Sequence, residues 1–154
     1  MADTPHIMIV EARFYDDIAD ELVKSAIHEI EAAGASYERF QVTGAFEIPA
    51  VIQYAIRSLD FYSARRRFDG YVALGCVIRG ETTHYDYVCQ ESARALQDLA
   101  VRYTLALGYG ILTVENRAQA MARARRDEKD RGGHAARACL RMIEHKRHFG
   151  LFPR

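Results

Sequence analysis

The sequence predicts an α/β fold, a mostly parallel sheet with helices on both faces. Two observations predict it. Apolar runs of strand length alternate with longer segments patterned at helical spacing, from one end of the chain to the other. One of those runs, Tyr71 to Ile78 (YVALGCVI), is apolar throughout, which suits a central parallel strand buried on both faces.

His6 to Glu11 (HIMIVE) reads as the first strand. Asp16 to Ala33 reads as a helix, because Ile18, Leu22, Ala26 and Ile30 recur four apart on one face and Gly34 supplies a stop. Ser36 to Val42 (SYERFQV) reads as a second strand of alternating character. Gly44 breaks the chain, and Pro49 stands where a first helical turn tolerates it, so a helix is expected from there to about Tyr62. The polar stretch Ser63 to Asp69 reads as a loop ahead of the Tyr71 to Ile78 strand. A long helix is expected over Thr83 to Tyr103, with Val88, Ala95, Leu99 and Tyr103 on one side. Leu107 to Val114 reads as the fourth strand, and two helices, Arg117 to Arg126 and Ala135 to His148, close the chain around the charged turn DEKDRGG. No repeat is evident, and residues 1–154 read as one domain.

Composition narrows the function classes. About half of the 154 residues are apolar, enough for one good core. The 21 basic and 21 acidic side chains balance, so no basic field argues for nucleic acid or an anionic membrane surface. No apolar stretch approaches the roughly 18–20 residues of a membrane span. MADTPHIMIV lacks the layout of a signal peptide. Three cysteines (Cys76, Cys89 and Cys139), none in a C-x-x-C pair, favour reduced thiols in a cytoplasmic protein over a disulfide framework or a zinc site. His145 and His148 stand at helical spacing without a carboxylate or cysteine in register, so they read as a solvated basic tail, and no metal motif is present.

Ligands of open α/β sheets bind beyond the carboxyl ends of the strands. That rule selects Ala12 to Tyr15, Thr43 to Pro49, Ile78 to His84 and Val114 to Asn116. The third of these is the most informative. Gly80 allows close approach of the backbone, Thr82 and Thr83 are helix-capping types, and the helix start would offer free N–H groups to a phosphate or carboxylate. A neutral His84 imidazole beside such a ligand could carry protons. On spacing alone, a capping Thr83 followed by an ordinary first-turn His84 is the simpler reading. In the first loop, Phe14 and Tyr15 could stack on a planar ring or serve as core aromatics. In the second, the amides at Gly44 and Ala45 could read a heterocycle's edge, while Glu47 could accept from ring N–H groups or favour the helix start. Of the arginines in the last third, one reaching the phosphate would complete a charge-assisted clamp.

Three long motifs in order carry a more specific signal: GAFEIP at 44–49, ALGCVIRGETTHYDYVCQESARAL at 73–96 and GILTVENRAQAMARA at 110–124. With EARF at 11–14, they resemble the lumazine synthase family of riboflavin biosynthesis across nearly the whole chain. The resemblance implies a flavodoxin-like three-layer sandwich with a four-stranded parallel sheet flanked by helices. It also implies a reaction: 5-amino-6-(D-ribitylamino)uracil condenses with 3,4-dihydroxy-2-butanone 4-phosphate to 6,7-dimethyl-8-ribityllumazine, releasing phosphate and water, with no cofactor or metal.

Roles follow at matching positions. Phe14 resembles the aromatic that stacks on the pyrimidine. Ala45, Phe46 and Glu47 resemble the segment that binds the ribityl chain and ring edge, and Val77 and Ile78 the pocket lining. Gly80, Glu81, Thr82 and Thr83 resemble the phosphate loop, Arg123 the phosphate arginine and His84 the proton carrier. Tyr109 resembles the aromatic that a neighbouring subunit contributes, and Arg131 stands where a ribityl contact is expected. The chain departs from the family pattern at Tyr15, often asparagine, at Glu81, often a small residue, and in its RRDEKDRGG turn. The family's homopentamer is expected, free or paired, over a sixty-subunit capsid, because that turn differs from the glycine-containing turn of capsid formers. Riboflavin synthase is the further partner the resemblance would add. Rival readings are a flavin- or lumazine-binding protein without turnover, a shell protein, and a flavodoxin-type electron carrier; the last is disfavoured because the phosphate-like loop follows the third strand.

Overall fold

The protein is described by a computed structural model over residues 4–62 and 68–153. Four strands form one parallel sheet in the order β2-β1-β3-β4. They are β1 (His6–Ala12), β2 (Ser36–Val42), β3 (Gly70–Ile78) and β4 (Leu107–Val114). The helices are α1 (Asp16–Ala32), α2 (Ile48–Ser58), α3 (His84–Tyr103), α4 (Arg117–Ala124) and α5 (Arg131–His148), and a single 3₁₀ turn, Ala45–Glu47, leads into α2. This is the flavodoxin-like three-layer arrangement.

The layers follow from the strand order. The chain leaves β1 toward β2 in one direction and builds β3 and β4 in the other. Crossovers between parallel strands are right-handed, so the reversal puts α1 on one face and α2 and α3 on the opposite one. Two apolar layers result. Beneath α1, α4 and α5, the sheet's Ile7, Ile9, Val72 and Leu74 pack on Ile18, Leu22, Ala26, Ile30, Cys139 and Ile143. On the other face, Met8, Val10, Tyr71 and Ala73 pack on Ile48, Ile52, Val88 and Leu96. Each large aliphatic side chain so buried contributes about 1.5–3 kcal/mol.

The predicted stripe of α1 is buried as a unit, with Ile18, Leu22, Ala26 and Ile30 all solvent-free. The stripe of α3 differs from expectation. Val88, Ser92 and Leu96 are its buried residues, whereas Ala95 and Leu99 are only half-buried and Tyr103 is exposed. A serine can occupy the buried stripe because its hydroxyl donates to the Cys89 carbonyl at 3.3 Å. β2 does not alternate cleanly. Tyr37 packs on the α1 layer and Phe40 and Val42 on the α2 layer, while the rest of this edge strand faces solvent. The helix expected to run on to Tyr62 ends at Ser58, and turns continue to Tyr62, whose N–H donates to the Ser58 carbonyl at 3.0 Å. α4 ends at Ala124, and α5 begins at Arg131 rather than Ala135, so the charged turn is shorter than the sequence suggests. Of the expected loop at Ser63 to Asp69, positions 63–67 lie outside the described residues. Asp69 pairs with β1: its carboxylate accepts the His6 N–H at 2.8 Å and its own N–H donates to the His6 carbonyl at 2.8 Å.

Candidate active site

The strand order reverses between β1 and β3, and a crevice opens beyond their carboxyl ends, as the topology of such sheets requires. A cavity of about 450 Å³ lies there. Phe14 and Tyr15, just past β1, form one wall. The 3₁₀ turn with Ala45, Phe46 and Glu47 forms a second, together with Thr43 and Gly44. Cys76, Val77 and Ile78 at the end of β3 are the floor, and Gly80, Thr82 and His84 continue the lining toward α3. Its volume and mostly apolar walls suit a small-molecule ligand.

Local structure explains each placement. Phe14 is 66% exposed and Phe46 58%, unusual for rings that nothing but a ligand or a partner would cover. Ala45 is buried against the sheet and fixes the turn that carries Phe46. The Glu47 carboxylate accepts the Gly44 N–H at 3.1 Å, so it supports the start of this turn while also facing the cavity. Open space surrounds Gly80: a Cβ there would meet nothing within 4 Å. Arg79 is turned the other way, held to Glu115 at 3.0 Å and to Asp86 at 3.5 Å with its guanidinium 4.3 Å from the centre of the Tyr85 ring. That contact pins the start of the loop to β4 and α3.

His84 is the first residue of α3, exposed, with its N–H donating weakly to the Thr82 hydroxyl at 3.3 Å. Thr83 makes no side-chain cap, so of the two threonines expected to cap the helix only Thr82 does so. Helical spacing then brings Tyr87 and Val88 onto the cavity beside His84. Those two were legible from that spacing, as was Tyr85 from its place in the first turn. Cys76 was hidden within an apolar run. Burial pushes its thiol up to about 12, so it stays protonated and acts as an apolar floor.

Five expected site residues do not line this cavity: Glu81, Thr83, Tyr109, Arg123 and Arg131. Glu81 and Thr83 are exposed on the loop itself. Tyr109, on edge strand β4, is 41% exposed and lies beside Tyr85 and Cys89; burial of its ring, with those two neighbours, pushes its phenol up. Arg123 is half-buried on α4 and donates to the Gln119 carbonyl at 3.1 Å. Arg131 is exposed at the start of α5. Consequently no arginine or lysine lines the cavity among the described residues. The cavity thus brings together exposed aromatic rings, the N-terminus of α3 and an imidazole.

Residues 4–147 match the family model described as 6,7-dimethyl-8-ribityllumazine synthase. The chain belongs to that family. It is 61% identical over 145 residues to 6,7-dimethyl-8-ribityllumazine synthase 1 of Rhizobium meliloti (strain 1021), covering 94% of each chain. It is 57% identical over 146 residues to the 6,7-dimethyl-8-ribityllumazine synthase of Agrobacterium fabrum, covering 95% of this chain and 97% of the relative. With the enzyme of that name from Bartonella tribocorum the identity is 53% over 150 residues. The lumazine synthase match thus runs through all four strands. No helix among the described residues is long and apolar enough to cross a membrane.

Proposed function

We propose that this chain is a working lumazine synthase and that the β1/β3 cavity is where it condenses 5-amino-6-(D-ribitylamino)uracil with 3,4-dihydroxy-2-butanone 4-phosphate. The observation that carries the reading is the cavity at the switch point. There an exposed aromatic, the Ala45–Glu47 turn and the His84 end of α3 converge on one volume. The pyrimidine stacks on Phe14, its ring edge and ribityl chain meet Ala45, Phe46 and Glu47, and Val77 and Ile78 bound it. The phosphate sits over Gly80, Thr82 and Thr83, where the positive end of α3 favours an anion.

The amine of the uracil attacks the ketone, and loss of water gives an imine. Elimination then releases phosphate, and after tautomerisation the second amine closes the ring with loss of a further water. Holding both substrates in one slot supplies much of the rate, and His84 moves the protons. The cation that neutralises the phosphate is Arg123 of a neighbouring copy, with Tyr109 and Arg131 arriving from the same side. The reading is supported by the placement of Tyr109 on edge strand β4, of Arg123 on α4 and of Arg131 at the start of α5, none of them on the cavity, and by the lack of a cationic lining there among the described residues. The chain therefore acts as one domain, 1–154, within a cytoplasmic homo-oligomer, a pentamer or a pair of pentamers. Riboflavin synthase, which would consume the product, is a candidate associate.

The test is turnover. Purified protein is mixed with both substrates, and lumazine formation is followed by absorbance against a protein-free blank. A rate well above the blank is expected. A rate equal to the blank, from folded and oligomeric protein, would favour a flavin-binding protein on the same scaffold.

A further inference from the structure

We propose that Tyr15 is a positioning residue for the pyrimidine substrate: its ring, braced from below by Arg117, sets the plane of Phe14 in the cavity. The proposal deepens the reading above and rests on Phe14 as the stacking aromatic. Phe14 stands 66% exposed, and a side chain so free has several ring orientations to choose from. Its one aromatic contact among the described residues is with Tyr15, edge to face, with ring centroids 5.0 Å apart and planes at 64°. Such a contact favours one orientation of the pair over the others.

Tyr15 itself has little freedom. Its backbone is the N-cap of α1, and its carbonyl accepts the Ala19 N–H at 2.9 Å. Its ring is half-buried against the core layer beneath α1, yet still forms part of the cavity wall. The guanidinium of Arg117, at the start of α4, lies 5.7 Å from the centre of that ring. Arg117 is in turn ion-paired with Asp17 in the first turn of α1. A chain of contacts, Asp17 to Arg117 to Tyr15 to Phe14, therefore runs from two helix N-termini to the ring that holds the substrate. Ordering Phe14 before the substrate arrives removes part of the entropy cost of binding. The contacts with Phe14 and Arg117 on which the proposal rests are made by the ring.

Steady-state kinetics of Tyr15→Leu, Tyr15→Phe, Arg117→Met and Phe14→Leu test the proposal. Tyr15→Leu keeps apolar volume and removes the ring, so KM for the ribitylamino-uracil should rise about 2- to 12-fold, the range an aromatic pair supplies. KM for the butanone phosphate and kcat should stay within about twofold. Tyr15→Phe should behave as wild type, and Arg117→Met should raise the same KM by about twofold. An unchanged pyrimidine KM in Tyr15→Leu, with a raised one in Phe14→Leu, overturns the proposal and leaves the stacking reading intact. If Phe14→Leu also leaves it unchanged, the stacking reading itself fails. A fall in kcat with a rise in both KM values, not rescued by Tyr15→Phe, would mark Tyr15 as merely structural and overturn the proposal. Should Tyr15→Leu not fold, the exposed Arg117→Met decides, and an unchanged pyrimidine KM there overturns it.

Discussion

The carboxylate of Glu11 is completely buried, and two guanidiniums keep it charged. Arg13 donates to it at 2.6 Å and Arg39, from the neighbouring strand, at 2.7 and 2.9 Å. Arg13 also holds Asp16 at 2.8 Å and Asp20, which ties the β1–α1 turn that presents Phe14. Burial pushes the Glu11 carboxyl up, but hydrogen bonds from Arg39 and Arg13 outweigh it and leave it below its ordinary value of 4.5. A depressed folded value means the unfolded chain takes up the proton first. This stabilisation is therefore complete above the ordinary carboxylate range and fades as pH falls from 4.5 through the folded value. Glu11→Gln should flatten the acid limb of a stability–pH curve. At neutral pH it should cost roughly 2–3 kcal/mol, less than the ~3–5 of a fully buried pair because Arg39 is partly hydrated. A curve with the wild-type acid limb would count against the Glu11 account. His84→Ala should lower turnover toward the ~10²- to 10⁴-fold loss typical of an acid–base residue without abolishing it. Full turnover in that variant would remove His84 from its role. The place of His84 on the cavity was legible from the loop beyond β3 within a long motif, and that of Phe14 from its position just past β1 in the short EARF segment. The Glu11–Arg39 pair was not, since its partners are 28 positions apart and only strand pairing brings them together.

Elements were legible where one face decides their pattern. α1 shows it best, since all four residues of its four-apart stripe lie on the buried face, which Ala19, Val23 and Ser25 widen. α3 was misread on one side because a serine, Ser92, fills a buried position by bonding within its own helix. The beginning of α5 was missed for a related reason. RGG reads as a turn, yet here the small residues let α5 approach its neighbours. A Cβ at Gly132 would stand 2.2 Å from the Leu22 carbonyl oxygen, and one at Gly108 of β4 would stand 1.9 Å from the Ala135 carbonyl oxygen. Both obstructions are backbone, which cannot move aside as a side chain can. Gly108→Ala should therefore push α5 off β4 at a cost of about 1–3 kcal/mol or more, a typical overpacking penalty. In thermal melts this would appear as a fall in Tm of several degrees, and a wild-type Tm would contradict the packing described here.

At the scale of the whole molecule, the expected site residues fall into two groups within one chain. Phe14, the Ala45–Glu47 turn and His84 share the cavity, whereas Tyr109, Arg123 and Arg131 do not line it. Sequence motifs identify both groups but carry no information on whether they meet within one chain or between two. Light scattering should therefore find no active monomer; a mass near five or ten subunits is expected, and sixty would overturn the preference for the smaller assemblies. The shared site itself is tested most directly by complementation. The double variant Phe14→Ala/His84→Ala spoils the cavity half, and Arg123→Ala, on α4, spoils the other half. The two are unfolded together, refolded as mixed oligomers and assayed for lumazine formation. If neighbouring copies build each site, roughly a quarter of the interfaces in a random equal mixture receive two intact halves, and activity should rise well above that of either variant refolded alone. Mixed oligomers no more active than the average of the two variants would contradict a site shared between subunits.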